Sequence, residues 1–366
     1  RAAAFPSLPG KLLEVAGYAP ASVGAGVAFG TPASGYRAAT GAFAVVGAFT
    51  LVDGANAERF PTRGSPLAGG PSANEVSRII EEGIRVANRA RAQIRRPLGS
   101  AAEVSVVVVD LEGEVLGLAR TPDAPVFGTD VAVQKARGAL LFSRTDAAAL
   151  LAGLPDAQYL SPAGARSPMA AYVGALRDFV GEGGALDGRI AWSMRAISNL
   201  HRPTFPDGID GTPHGPLSKG FDTWSPFNVG FQLDLVYNQL VKAAATGDTS
   251  PGCAGRAALG APAGAPDAGL GLARNGIQIF PGGMPLYRNG VLVGAVGVSG
   301  DGVDQDDMVA LLGVANATRS LGTGLSHAAA SMRADTLSPL GVRLRYAQCP
   351  QSPFNDSNQQ DACAGL

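Results

Sequence analysis

Apolar residues recur at three- and four-residue intervals from Val76 to Ile94, through Ile80, Ile84 and Ala87 with Ile79 and Ala90 beside them. That spacing lines one face of a helix. Ser72 and Glu75 stand ahead of it as a capping box, and Pro97 with Gly99 closes it. At Val104 the pattern changes. VSVVVVDLEGEVLGLAR (104–120) predicts a strand, a turn at Glu112-Gly113 and a second strand. Thr129 or Asp130 is then placed to cap a helix whose stripe is Val133, Ala136, Leu140 and Leu141. MPLYRNGVLVGAVGVSG (284–300) predicts a second hairpin, turning on Asn289-Gly290, a pair that supplies the positive φ angles of a type I′ turn. DGVDQDDMVALLGVANA (301–317) begins a helix with an acidic first turn. GIQIF (276–280) and GVRLRYA (341–347) alternate as further strands. GAFAVVGAFTLVDG (41–54) is strand-like with a bend at Gly47.

The segment from about 150 to 275 is of another character. AYVGALRDFVG and FQLDLVYNQLVKAAATG read as helices. Between them, residues 199–228 are dense in Pro, Gly and Asp and carry His201, His214 and Trp224. A loop of that length inside a domain is usually functional or an interaction surface. Thr249 to Asp267 is an Ala/Gly/Pro connector. The expected division is an extension over 1–70, a domain over 71–347 interrupted by an insertion at about 150–275, and a tail over 348–366. The two hairpins echo one another, DLEGEVLG against YRNGVLVG. A fainter echo near residue 40 reads as the end of an earlier copy of the unit.

Composition narrows the classes. Of 366 residues, 46% are hydrophobic and 16% charged, with 50 Gly and 26 Pro, as in an ordered but loop-rich protein. A net charge of −1 gives no general attraction to nucleic acid or to an anionic membrane. No apolar run is long enough for a membrane span. Arg1 rather than Met opens the sequence, which reads as a processed or trimmed product. Cys349 and Cys363 enclose a polar tail with little core of its own, so a disulfide between them is expected. In the chain-entropy account it would contribute roughly 3 kcal/mol. Such a bond suits a periplasmic or extracellular setting. Cys253 is left over. The absence of CxxC and CxxCH argues against structural zinc and c-type haem.

Most local motifs resolve into architecture. The Gly-rich stretch around 282–302 lacks the Lys-Ser/Thr of a phosphate loop, and its four aspartates would repel phosphate. Ser299 is followed by Gly300-Asp301, which breaks the nucleophile-elbow pattern. Asp301, Asp304, Asp306 and Asp307 lack EF-hand spacing and are read as acids stabilising a helix start. The better calcium candidate is Asp207 with Asp210, in the loop FPDGIDGTPHG. His201, His214 and His327 form no paired zinc motif, and each is a candidate axial ligand for haem or else a plain hydrogen-bonded histidine. Arg78, Arg85, Arg89, Arg91, Arg95 and Arg96 form one basic face, either paired with Glu75, Glu81 and Glu82 or contacting an anion.

Two blocks, VSVVVVDLEGEVLGLARTPDAPVFGTDVAVQKARGALLFS and FPGGMPLYRNGVLVGAVGVSGDGVDQDDMVA, together resemble the haem-binding GlcG/HbpS-like family, which also includes the PduO C-terminal domain. The positions that carry the resemblance are Asp110, Gly113, Arg120, Lys135-Ala136, Gly282-Gly283-Met284-Pro285, Gly290, Gly294, Gly297, Ser299-Gly300 and Asp306. Lys135 and Gly282 are 147 positions apart, whereas members of that family are short. The resemblance implies an α+β fold with a largely antiparallel five-stranded sheet flanked by helices, and here a long loop-rich helical insertion. It also implies a tendency to oligomerise, or membership of a larger assembly, and haem binding in transport, storage or redox sensing. Asp110, Arg120 and Lys135 are the polar residues of these blocks that stand out, either as structural groups or as pocket lining. The competing reading is a scaffold that mediates assembly without a cofactor. No nucleophile or general base is evident, so an enzyme ranks last.

Overall fold

The valine run of the first hairpin lies at the centre of a sheet. The computed structural model describes residues 27–159, 163–220, 230–246, 272 and 276–366, with side chains of the helix at 231–246 described as far as Asn238. Cys253, Trp224, the 249–267 connector and residues 1–26 lie outside the described residues. Seven strands form one sheet: β1 (Tyr36–Ala38), β2 (Phe49–Leu51), β3 (Ser105–Asp110), β4 (Val115–Arg120), β7 (Gly283–Arg288), β8 (Val291–Ser299) and β9 (Leu325–His327). Their order is β1-β2-β4-β3-β8-β7-β9, and every pairing is antiparallel. β5 (Ala157–Gln158) and β6 (Arg166–Ser167) make a separate ribbon.

The α+β architecture is as expected, but the sheet has seven strands rather than five. The additional pair comes from the segment before residue 71, where Phe49 pairs with Arg120 and so joins the sheet through β4. Three local expectations change as well. Residues 276–280 bury Ile277 and Ile279 without strand pairing, and 341–347 bury Leu344 and Tyr346 in the same way. In both, alternation correctly marks the buried face but not a ladder. Residues 41–46 form a 3₁₀ turn that Gly47 ends at φ 67°.

β3 is buried on both faces, which is why its valines run without interruption. Val107 and Val109 face α2 (Val126–Ser143) and share a core with the helices that follow it. Val106 and Val108 face α1 (Ala73–Arg89) and α7 (Val303–Leu321). The family-like glycines sit where helix backbone touches strand backbone. A Cβ on Gly297 would stand 2.0 Å from Ala132 O, and one on Gly283 would stand 2.3 Å from Lys135 O. A side chain at either position would therefore lift α2 off β7 and β8.

The helix ends differ from the sequence expectation for identifiable reasons. α1 stops at Arg89, before Ile94, because Arg91 N donates to Pro353 O at 2.7 Å and Ala90 bridges Phe354. The tail thus captures the backbone that would have continued the helix. α2 starts at Val126 without a side-chain cap, and Thr129 reaches Ser105 at 3.5 Å instead. The expected Cys349–Cys363 disulfide is present and closes that tail against the end of α1.

The described residues between α2 and β7 carry α3 (Ala147–Ala152), α4 (Met169–Val180), α5 (Met194–Leu200) and α6 (Phe231–Thr246). Trp192 is fully buried, with its indole N–H donating to Ala185 O at 2.7 Å and its backbone N–H to Ser143 Oγ at 2.8 Å. Asp234 on α6 accepts from the hydroxyls of Tyr159 and Tyr172, tying α6 to α4 and the β5–β6 ribbon.

The capping box forms as read, and it does more than cap. Glu75, 2% exposed, accepts from Ser72 N and from Arg288 on β7, each at 2.8 Å, and from the Thr323 hydroxyl. Burial alone would raise its pKa, but the donors Arg288, Thr323 and Ser72 together outweigh that and hold it at about 2. A folded value below the unfolded one means stabilisation that is full above about pH 4.5 and lost as pH falls toward 2. Urea midpoints measured across that window should fall with pH. Glu75→Gln should lower the midpoint at pH 7 and flatten the slope over the window.

Candidate functional site

The acidic helix start singled out in the sequence is a hub of buried ion pairs. Lys135 on α2 and Asp306 are 1% and 2% exposed, with Nζ 2.7 Å from Asp306 Oδ2 and 2.9 Å from Val298 O. Arg195 on α5 donates through Nε to Asp307 at 2.6 Å and through Nη2 to Asp304 at 2.7 Å. Gln348 of the tail adds its backbone N–H to Asp307 and its side-chain amide to Asp304. Burial pushes the carboxyl of Asp306 up to about 6 against the pull of Lys135, and raises that of Asp307 against Arg195. Asp301 takes a different partner: its Oδ1 accepts from Gln93 N at 2.7 Å and Gly302 N at 2.8 Å, so it anchors the loop after α1. Asp304 and Asp306 do occupy the first turn, as the sequence reading has it. What the sequence did not reveal is that Lys135 and Arg195 would meet them.

The other sequence-derived candidates are dispersed. Asp110 Oδ1 accepts from Glu112 N and Glu114 N, both at 3.0 Å, and so shapes the β3–β4 turn. Arg120, at the opposite end of that hairpin, donates to Ala124 O beneath the rings of Tyr36 and Phe29. His201 is buried at the end of α5, with Nδ1 3.0 Å from Ile197 O. His327 is buried on β9, with Nε2 2.7 Å from Leu311 O. Burial lowers both imidazoles to about 4, so they are neutral at pH 7. His214 is exposed, with Nδ1 2.8 Å from Gly215 O. Asp207 lies 3.4 Å from Arg202. Among the described residues no group of three or more His, Cys, Asp or Glu could hold a metal ion, so the Asp207–Asp210 loop gives calcium no support. The basic face divides between readings: Arg78 and Arg85 pair with Glu81 and Glu82, while Arg89 pairs with Asp356 and Arg95 with Asp123.

A cavity of about 400 Å³ lies between the β3–β4 turn, the end of α2 and the β7–β8 turn. Leu111, Val291 and Leu292 give it apolar walls, and Ser143, Arg144, Asp146 and Tyr287 supply polar groups. Its volume is within the range of small-ligand sites, roughly 300–1,000 Å³. Val291 is 65% exposed at the rim. Arg144 is fixed by Asp146 through Nε at 2.6 Å and by Leu111 O at 2.8 Å. Tyr287 is 2% exposed, and its hydroxyl is buried beside the Ser143 side chain. Burial pushes that phenol up to about 12, with nearby Ser143 opposing it more weakly. A buried donor of that kind, beside a guanidinium and apolar walls, suits an amphipathic ligand bearing an acid group. Neither Tyr287 nor Arg144 was singled out from sequence. The available signals were a tyrosine just ahead of the Asn289-Gly290 turn and an Arg-Thr-Asp triplet ending α2.

Residues 233–315 match a family model described as "Haem degrading protein HbpS-like". The matched stretch runs from within α6 through both strands of the β7–β8 hairpin and into α7, and bears out the resemblance drawn from the sequence. Three solved structures are similar at low identity. Klebsiella pneumoniae protein ORFY, of the DUF336 family, is 16% identical over 67% of this chain and 87% of its own, with a TM-score of 0.29. A structure described as a PduOC:heme complex is 15% identical over 67% and 94%, with a TM-score of 0.26. A double mutant of Streptomyces reticuli HbpS is 15% identical over 71% and 97%, with a TM-score of 0.25. No curated protein matches the chain.

The buried pair makes a sharp expectation. Lys135→Met leaves the Asp306 carboxylate uncompensated in the interior and should cost about 3–5 kcal/mol. Lys135→Met with Asp306→Leu removes both charges and should recover most of that loss. Chemical denaturation of the single and double variants measures both. A single-variant loss under about 1 kcal/mol would show that the pair does not hold α2 to α7.

Proposed function

We propose that this protein binds haem, or a similar amphipathic ring bearing acid groups, in the cavity beside Tyr287, in haem handling or redox sensing. The observation that carries the reading is that the stretch matched to the haem-degrading HbpS-like family supplies Tyr287, Gly290, Val291 and Leu292 to that cavity. Leu111, Val291 and Leu292 would pack against the ring, Arg144 would meet an acid group, and Tyr287, part of the cavity wall with a buried hydroxyl, would donate to a second. Bound haem would supply a redox-active iron; the chain's own part is to hold, orient and shield it. His201 and His327 are engaged in the interior and His214 does not line this cavity, so no histidine is assigned to the haem iron. The Cys349–Cys363 disulfide supports an exported setting, and among the described residues no helix is long and apolar enough to cross a membrane. A second reading is a scaffold without cofactor, acting as a homo-oligomer or as a subunit of a larger assembly. It is favoured by the absorption of Asp110, Lys135 and Arg195 into structural contacts.

Haem titration with absorption spectroscopy tests the proposal. The expected result is a saturable Soret shift at one haem per chain. Tyr287→Phe should weaken it by about tenfold, near 1.4 kcal/mol, while His214→Ala leaves it in place. A spectrum that remains that of free haem at every ratio would refute haem binding. Loss in His214→Ala alone would move the site to the insertion.

A further inference from the structure

At the opposite end of β3 lies a second cavity, of about 360 Å³, lined by Ile94, Arg95, Arg96, Ser100, Glu103 and Asp123 among others. The six residues of β3 separate it from the Tyr287 cavity by about 20 Å. Its walls carry both signs of charge. Arg95 is committed: Nη1 pairs with Asp123 Oδ2 at 2.7 Å, Nη2 donates to Asp123 O at 2.8 Å, and Nε lies 3.5 Å from buried Asp301. Glu103 Oε2 accepts from Asp123 N at 2.8 Å. These contacts fix two carboxylates on one wall, and the Asp123 side chain remains 85% exposed. Arg96 is exposed and has no ion-pair partner among the described residues. Ile94, 63% exposed, gives an apolar side.

The loop that carries Ile94, Arg95 and Arg96 is held from beneath. Asp301 Oδ1 accepts from Gln93 N at 2.7 Å and Ile94 N at 3.4 Å, and Gln305 donates to Arg91 O at 3.1 Å. The cavity walls are therefore set before any ligand arrives, which lowers the ordering cost of binding. The unpaired Arg96, the Glu103 carboxylate beside an exposed Asp123 that Arg95 engages on one oxygen, and an apolar side within a small volume suit a ligand with the complementary set. Such a ligand carries one carboxylate, one ammonium and a short apolar chain.

We propose that this cavity binds a free apolar α-amino acid, with its carboxylate on Arg96, its ammonium on Asp123 and Glu103, and its side chain against Ile94. Arg95 already neutralises Asp123 in part, so the cavity has no net excess of either sign. A simple anion would leave Glu103 without a cation and a simple amine would leave Arg96 without an anion, whereas a ligand with both charges satisfies both.

Isothermal titration of the full chain with L-leucine tests this, with 4-methylpentanoate and isopentylamine as probes that each lack one charge. The expected result is saturable one-to-one binding of leucine, with each probe weaker by about tenfold or more. Arg96→Gln and Glu103→Gln should each weaken leucine binding to a similar degree while leaving the urea midpoint unchanged. Absence of saturable leucine binding at millimolar concentration would overturn the proposal. So would binding of either probe as tight as that of leucine, or leucine binding unaffected in Arg96→Gln. None of these readouts involves haem, so the proposal stands or falls separately from the Tyr287 site.

Discussion

Two cations buried against the acidic start of α7 govern how the elements around the sheet come together. Removing an ammonium or a guanidinium from water costs several kcal/mol, and the cost is offset only where a carboxylate stands at contact distance with its other lone pairs satisfied. Lys135 meets that condition with Asp306 and Val298 O, and Arg195 meets it with Asp307 and Asp304. α2, α5 and the tail around Gln348 are thereby referred to one point, the first turn of α7. The close backbone contacts of α2 on Gly283 and Gly297 work in the same direction. Trp192 and Arg195 thus build α5 and the residues before it into the core rather than leaving them on its surface.

This arrangement places chemistry at the two ends of the central strand and leaves its middle as pure packing. At one end, the turns of both hairpins and the end of α2 surround Tyr287 and Arg144. At the other, the loops that precede β3 and follow β4 surround Arg96, Glu103 and Asp123. Asp301, next to the α7 hub, secures the second group, so the same acidic stretch that fastens the helices also stiffens a cavity wall. Arg120 lies near that end under Tyr36 and Phe29, which shows the segment before residue 71 covering a family-like position rather than trailing away from it.

Much of this was legible in the sequence because it is periodic or local. The Ser72/Glu75 box, the valines of β3 and the Asn289-Gly290 turn depend on neighbours a few residues away, and the Cys349–Cys363 pairing on a partner 14 positions on. The two family-like blocks gave the fold class. What escaped depends on partners far along the chain. Ile94 continues the helical spacing of α1, yet Pro353 and Phe354 in the tail take over the backbone after Arg89. Ile277, Ile279, Leu344 and Tyr346 alternate as strand residues should and are buried, but no ladder reaches them. β2 lies within the strand-like run read at 41–54, whereas β1 and β9, each three residues long, are too short for alternation to register. Lys135 was singled out by its family-like position, but its partner lies 171 residues away. Arg195 lay in a stretch that composition described as loop-rich. Tyr287 and Arg144 were overlooked because a single tyrosine and a single arginine carry no periodic signal.

Through Arg195, α5 is part of the core fastened at the first turn of α7. Amide hydrogen exchange read by mass spectrometry tests this directly, by comparing residues 194–200 of α5 with α7 and with the exposed turn at 207–214. The account predicts that α5 is protected to the same degree as α7 and far above the turn. Exchange in α5 as fast as in the turn, with α7 still protected, would contradict it.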